Sequence, residues 1–414
     1  MRSSSAAVLL AAVLAAASVA AASPAANATD PRVRIIGRGR ADGDGGWVFD
    51  WPNTFIFHTE GASTVTAVIE AASWARFRVF LRSGGSGYTN GRWAPTSVLT
   101  VAPGRSQYVL AAGLGDDKSL GGGGDASAVT VVLSKMDEAD YNQHAEADMR
   151  ATISSFAVPG GGSIVDPPSS PVPGLPLPTR RVEFIGDSIT AAYGIGGTAP
   201  CSARPWMQES GRSYAFAACA ALGAECHVQA WSGRGLVRNY QAEEPGTHMP
   251  EIERRVWAGV PSSPEWDFAS WTPDAVWVNL GTNDACCGRD WPIPSFQPTY
   301  QALLKNITER YRAGSAGRAV PIFAAFGPMS SEFEPQLRAA AAAANADGAR
   351  VTVVDHSGLY PGGPGREGCS GHPSTAGHQV MAATAVAAIA NVTGWSPGQL
   401  NGETPAGSLQ SWRL

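Results

Sequence analysis

Charge is scarce in this 414-residue chain: Asp, Glu, Lys and Arg together make up 16% of it. The formal net charge is −5 and no basic run occurs, which excludes nucleic acid as a partner. No His-Glu-x-x-His and no Cys-x-x-Cys pair occurs, so neither a metalloprotease nor a zinc site is expected, and no metal or cofactor is called for. Gly113-Leu114-Gly115 lacks the third glycine and the following helix of a nucleotide loop. A Gly-x-Ser-x-Gly elbow is missing too, which removes the usual α/β-hydrolase signature. Beyond the first residues, no segment approaches the ~20 apolar residues that a membrane span requires.

The first residues read as a secretory leader. Arg2 supplies the positive start and Ala6 to Ala22 an apolar stretch of small residues. Ala20-Ala21-Ala22 or Ala26-Asn27-Ala28 suits signal peptidase, and the leader is assigned to residues 1–28. A secreted, extracellular monomer follows, with no membrane attachment once the leader is gone. In an exported chain the six cysteines (Cys201, Cys219, Cys226, Cys286, Cys287 and Cys369) favour disulfides. Cys286 and Cys287 are adjacent, so separate partners are expected for them. Asn306-Ile307-Thr308 and Asn391-Val392-Thr393 are glycosylation sequons.

Two regions differ in rhythm. Residues 32–157 hold short β-prone runs at Trp47 to Trp51, Thr54 to Thr59, Thr64 to Glu70, Arg76 to Leu81, Ser97 to Val101, Tyr108 to Ala111 and Val129 to Leu133, separated by Gly- and Pro-rich turns. This spacing predicts an all-β sandwich. Residues 158–179, rich in Pro, Gly and Ser, read as a connector. From 180 to 396 strands and helices alternate, which predicts α/β architecture: a parallel sheet with helices on both faces. Strands are expected at Val182 to Ile185, His227 to Ala230, Ala275 to Leu280, Ala319 to Phe326 and Val351 to Val354. Helices are expected at Tyr214 to Leu222, Tyr300 to Ala313, Pro335 to Ala346 and Ala376 to Asn391. Residues 397–414 form a C-terminal tail.

Four short motifs fall at or near predicted strand ends, where open parallel sheets bind ligands. Phe184-Ile185-Gly186-Asp187-Ser188-Ile189-Thr190 presents Ser188 as a nucleophile, with the positive end of the following helix aimed at it. Trp231-Ser232-Gly233 offers the Gly233 N–H, and Gly281-Thr282-Asn283-Asp284 the Asn283 amide. With the Ser188 N–H these form an oxyanion hole. Gly371-His372-Pro373 offers His372 as base; His378 reads as a packing or capping residue, and His356 follows Asp355 at a strand end. Trp231 and Trp291 are candidates for stacking on sugar, although for any single Trp here the core reading is favoured.

A serine, a glycine, an asparagine and a histidine in this order resemble the SGNH (GDSL-type) hydrolases. The match widens with Gly37-Arg38, Phe49-Asp50-Trp51-Pro52, Ala230-Trp231-Ser232-Gly233-Arg234-Gly235 and Trp271-Thr272-Pro273-Asp274, which make the chain similar to carbohydrate esterase family 2. The resemblance implies a jelly-roll-like sandwich before a three-layer SGNH hydrolase domain. It also implies removal of acetyl groups from acetylated polysaccharides such as xylan or mannan. Alternatives are a lipid or aryl esterase of the same superfamily and a non-catalytic carbohydrate-binding protein. One position departs from the family pattern, in which an aspartate precedes the histidine: here the run is Gly368-Cys369-Ser370-Gly371-His372-Pro373. A Ser188–His372 dyad is therefore expected, its histidine oriented by a main-chain carbonyl or the Ser370 hydroxyl, with Asp355 as the rival third member.

Overall fold

The computed structural model describes residues 25–83, 93–114, 128–138, 148–169, 172, 175–240, 246–286, 293–360 and 365–397. Its N-terminal part is two antiparallel sheets face to face. One is built from β1 (Ala25–Asn27), β3 (Arg40–Ala41), β4 (Trp47–Phe49), β6 (Thr64–Ala71), β9 (Gly104–Ala112) and β11 (Ala151–Ala157). The other holds β2 (Arg34–Ile36), β5 (Thr54–Glu60), β7 (Ala75–Ser83), β8 (Trp93–Val101), β10 (Ala128–Lys135) and β12 (Ser163–Val165). Between them lies a core of Phe49, Phe55, Phe57, Phe77 and Phe156 with Val, Ile and Ala from both sheets.

Two strands fall outside the expected sandwich limits. β1 pairs with β11 through Ala25 to Asn27, which the expected boundaries place in the leader. β12 pairs with β5 within the segment read as connector. It can do so despite the Pro- and Gly-rich surroundings because it lies at a sheet edge and needs only one partner.

The second part is a five-stranded parallel sheet in the order β14 (Ala224–Ala230), β13 (Leu177–Gly186), β15 (Ala275–Asn279), β16 (Pro321–Phe326), β17 (Arg350–Asp355). On β13, Val182 and Phe184 face α2 (Tyr214–Leu222) and α7 (Thr375–Thr393). Ile185 faces the other side, where α5 (Phe296–Arg312) and α6 (Glu334–Ala346) lie. Burial on both faces explains the near-continuous apolar runs of β15 and β16. Helix α2 spans the nine residues expected, because Ser213 caps its start through Phe216 N–H and Gly223 (φ 61°) ends it. Cys201 bonds Cys369, Cys219 bonds Cys226, and Cys286 is also disulfide-bonded; Cys287 lies outside the described residues. Among the described residues, no helix is long and apolar enough to cross a membrane.

The two parts share a dry, polar seam. Arg38 and Glu183 pair with both side chains fully buried, Arg38 also donates to the Glu253 carbonyl, and the Tyr311 hydroxyl donates to Glu183 at 2.8 Å. Trp51 leaves the sandwich to pack in the core with Ile185 and Trp231. Arg76 binds Asp137 and donates to the carbonyls of Pro205, Trp206 and Gln208, while Arg78 binds Glu209. Removing one member of a buried pair strands the other charge in a dry site, at about 3–5 kcal/mol. Arg38→Ala is therefore expected to destabilise the full chain by about that amount in denaturant unfolding. An unchanged midpoint would contradict the seam's energetic role.

Candidate active site

Three adjacent strand ends deliver the first three motifs. In the sheet register Gly186 lies beside Ala230 on one side and Asn279 on the other. Chain continuation from this aligned row brings Ser188, Gly233 and Asn283 to one end of the sheet. That end is also the topological switch point, because the chain moves from β13 to β14 on one side and then to β15 on the other.

Ser188 follows Asp187, whose carboxylate accepts from the Ile189 N–H at 3.0 Å and caps the turn. The helix expected after the nucleophile is a single turn, α1 (Ser188–Ala191), closed by Ala192 in the left-handed region (φ 64°). So short a helix has little macrodipole, and orphan N–H groups at its start are the relevant donors. Gly186 is required here by crowding: a Cβ on it would lie 2.1 Å from Thr190 Oγ1.

Ser188 Oγ lies 2.7 Å from His372 Nε2. His372 Nδ1 faces the Ser370 main-chain carbonyl at 3.0 Å. That contact assigns the proton to Nδ1, which leaves Nε2 as the acceptor of the serine hydroxyl. Ser370 itself is left-handed (φ 54°, ψ 36°), and this turns its carbonyl inward while its hydroxyl accepts from the Ala203 N–H at 2.9 Å. The Cys201–Cys369 disulfide and the Ser370 N–H to Cys201 carbonyl bond, 2.7 Å, fix the turn from behind. The Tyr193 ring packs edge-on against the imidazole with centroids 4.8 Å apart.

Asp355 lies elsewhere. Its carboxylate is exposed at the end of β17 and accepts from the Ser357 N–H at 2.7 Å. His378 is buried in α7, where Nδ1 accepts from the Tyr214 N–H at 3.1 Å, and His356 is buried under Trp277 and Tyr214.

Gly233 has φ 78°, which an L side chain rarely adopts. Among the described residues no hydrogen bond takes up its N–H or that of Ser188. The Asn283 amide donates to the Arg234 carbonyl at 2.9 Å and reaches Asp187 Oδ2 at 3.4 Å. Burial, with help from nearby Asp284, pushes the Asp187 carboxyl up to about 7.

Trp231 is fully buried, with the Arg234 guanidinium 4.4 Å above its ring. In that position it is a core residue and not a surface on which a sugar could stack. Trp291 lies outside the described residues. Tyr240, which is 37% exposed, has its main chain beside Gly233: its N–H donates to the Gly233 carbonyl at 2.7 Å.

Sequence reasoning missed Asp284, next to Asn283. Its carboxylate accepts from three successive N–H groups, Leu236, Val237 and Arg238, at 2.9, 2.7 and 2.9 Å, and so holds the loop that follows Gly233. The Asn-Asp order was visible, but the partners lie 46–48 residues away. No group of three metal-ligating side chains occurs among the described residues. A cavity of about 420 Å³ between sandwich and α2 is lined by Ile36, Phe80, Leu175 and Phe216 and includes none of the four motif residues.

Burial pushes His372 down to about 4, against the opposing pull of its bond to the Ser370 carbonyl. The ring is therefore neutral at pH 7. In a proton NMR titration the His372 ring signals are expected to shift with a midpoint near 4. A midpoint at the ordinary 6.5 would show that the ring is solvated and not held as described.

The GDSL-like Lipase/Acylhydrolase family matches residues 184–380. The cellulase/esterase CelE of Acetivibrio thermocellus is 35% identical over 229 residues, 52% of this chain and 26% of that protein. An acetylxylan esterase / glucomannan deacetylase of Cellvibrio japonicus is 25% identical over 143 residues, 34% of this chain and 39% of its own length. The chain thus spans well under half the length of these relatives. A family two carbohydrate esterase from Clostridium thermocellum, solved with cellohexaose, superposes with a TM-score of 0.69 at 26% identity, covering 88% of this chain and 100% of that one. The corresponding Cellvibrio japonicus enzyme, at 17% identity and a TM-score of 0.70, shares the two-part fold. Residues 184–380 thus match the GDSL-like Lipase/Acylhydrolase family, and the solved structures similar to the chain across both parts include family two carbohydrate esterases.

Proposed function

We propose that the chain is a secreted serine esterase that removes O-acetyl groups from polysaccharides of the xylan or mannan type. The observation that carries the reading is the 2.7 Å contact between Ser188 Oγ and a neutral His372 Nε2. The names of its relatives, an acetylxylan esterase / glucomannan deacetylase and a cellulase/esterase, support the substrate class.

In this reading His372 Nε2 takes the Ser188 proton as Oγ attacks the acetyl carbonyl carbon. The oxyanion draws on the N–H groups of Ser188 and Gly233 and on the Asn283 amide. Asn283 donates one amide proton to the Arg234 carbonyl; the other, only weakly held at 3.4 Å from Asp187, is the one this reading assigns to the oxyanion. The tetrahedral intermediate collapses, the sugar oxygen leaves with the proton from His372, and an acetyl-Ser188 forms. Water, deprotonated by His372, then attacks this ester, and acetate departs as Ser188 regains its proton. The Ser370 carbonyl holds the imidazole in the right tautomer, the task that a carboxylate performs in a triad. Cleavage of the leader after Ala22 would leave β1 intact, whereas cleavage after Ala28 would remove a strand paired to β11.

Acetate release from acetylated xylan and glucomannan tests the reading. Ser188→Ala is expected to lower kcat by about 10⁴-fold or more, since nucleophile and base act as one unit. Asn283→Ala is expected to cost about 10²–10³ in kcat with KM little changed. Retention of most activity by Ser188→Ala, or a preference for long acyl esters, would overturn the assignment.

The third member is tested separately. With Asp355 exposed and bonded to Ser357, Asp355→Asn is expected to change kcat by less than about tenfold, far from the ~10⁴ typical of a lost triad acid. A fall of several orders of magnitude would replace the dyad by a triad.

A further inference from the structure

Glu138 belongs to the sandwich, three residues past the end of β10, yet its carboxylate sits in the hydrolase domain. Its Oε2 accepts from the Ser232 main-chain N–H at 2.5 Å, and the residue is 1% exposed. Ser232 precedes Gly233, so this bond engages the peptide unit next to the one that carries the Gly233 N–H. Rotation of one peptide plane changes the direction of the next, because only two soft dihedrals separate them.

The carboxylate is itself braced. Lys135 Nζ donates to the main-chain carbonyls of Asp137 and Glu138 at 2.9 and 2.7 Å. Arg76 binds Asp137 and three hydrolase carbonyls, which ties the Lys135–Glu138 segment to the second domain. Through Gln208 the same segment is linked to the nucleophile turn: the Glu138 N–H donates to Gln208 Oε1 at 3.5 Å, the Gln208 amide donates to the Ala191 carbonyl at 3.1 Å, and the Ser210 N–H donates to the Met136 carbonyl at 2.8 Å. A buried, charge-assisted bond of this kind is about twice as strong as a neutral one, and it fixes direction as well as distance.

We infer that Glu138 is a positioning residue for the oxyanion turn, so that the sandwich completes the hydrolase site. This inference rests on the proposed esterase reading. It gives the N-terminal domain a part in catalysis that substrate binding by its own surface would not. The Ser232 N–H, bound to Glu138, is removed from the set of oxyanion donors, and Gly233 is left as the donor from this loop.

The test is steady-state hydrolysis of a small activated acetyl ester by the full chain, with thermal unfolding measured in parallel. A small ester avoids any contribution from polysaccharide binding. Glu138→Ala is expected to lower kcat by about 10–10²-fold, below the cost of deleting a donor outright, with KM unchanged. Glu138→Gln keeps an acceptor oxygen at the same reach and is expected to restore most of that loss. Glu138→Asp is one methylene short and is expected to resemble the alanine variant, which supplies a reading even if Glu138→Ala fails to fold. Wild-type kcat in the Ala and Asp variants, whatever their melting temperatures, would overturn the inference while leaving the esterase reading intact. Activity equal in wild type and Ser188→Ala would overturn both.

Discussion

The hydrogen bond from His372 Nδ1 to the Ser370 carbonyl is the constraint on which the site depends. In the proposed esterase reading Ser188 acts only if Nε2 is bare, and Nε2 is bare only if Nδ1 holds the proton. The carbonyl enforces that tautomer but supplies less negative charge than a carboxylate to stabilise the imidazolium. It is available because Ser370 adopts a left-handed conformation, and that conformation is tied to Cys201 by a disulfide at the preceding residue and by a main-chain bond. Local backbone geometry therefore does the work that a missing side chain would otherwise do. The neighbouring ring of Tyr193 and the burial that pushes His372 to about 4 act together: the imidazole is neutral across the physiological range.

Around this centre the architecture has a division of labour. The aligned ends of β14, β13 and β15 fix the relative heights of the motifs that carry Gly233, Ser188 and Asn283. Buried carboxylates then hold the loop between them, Asp284 by three N–H groups from one side and Glu138 by one from the other. Each is a buried carboxyl group held by main-chain N–H donors. The seam with Arg38, Glu183 and Trp51 keeps the two domains in the register that these contacts demand.

Much of this was legible in the sequence wherever the determinants are local. Helix α2 ends where Ser213 and Gly223 say it should, and the central strands β15 and β16 stand on apolar runs that are buried throughout. Ser188, Gly233, Asn283 and His372 gather because each follows or lies near a strand end, a positional rule that needs no knowledge of tertiary contacts. Elements with non-local determinants were invisible. Strand β11 carries Ser154 and Ser155 and a register shift between Ile153 and Ser155, so it lacks clean alternation. Strand β12 lies among glycines and prolines and exists because β5 has an open edge. Trp231, beside its glycine, was open to both a sugar-stacking and a core reading, and the fold turns it inward beneath Arg234. Glu138 lies 94 residues before Ser232, and nothing in its own neighbourhood marks it.

The most direct measurement of the central claim is covalent labelling of the intact chain with a small serine-directed phosphonate, followed by peptide mass spectrometry. A Ser188 nucleophile activated by His372 predicts one phosphonate on the peptide containing Ser188 in the wild type and little or none in His372→Ala. Labelling that is absent, that falls on another residue, or that is undiminished without His372 would contradict it.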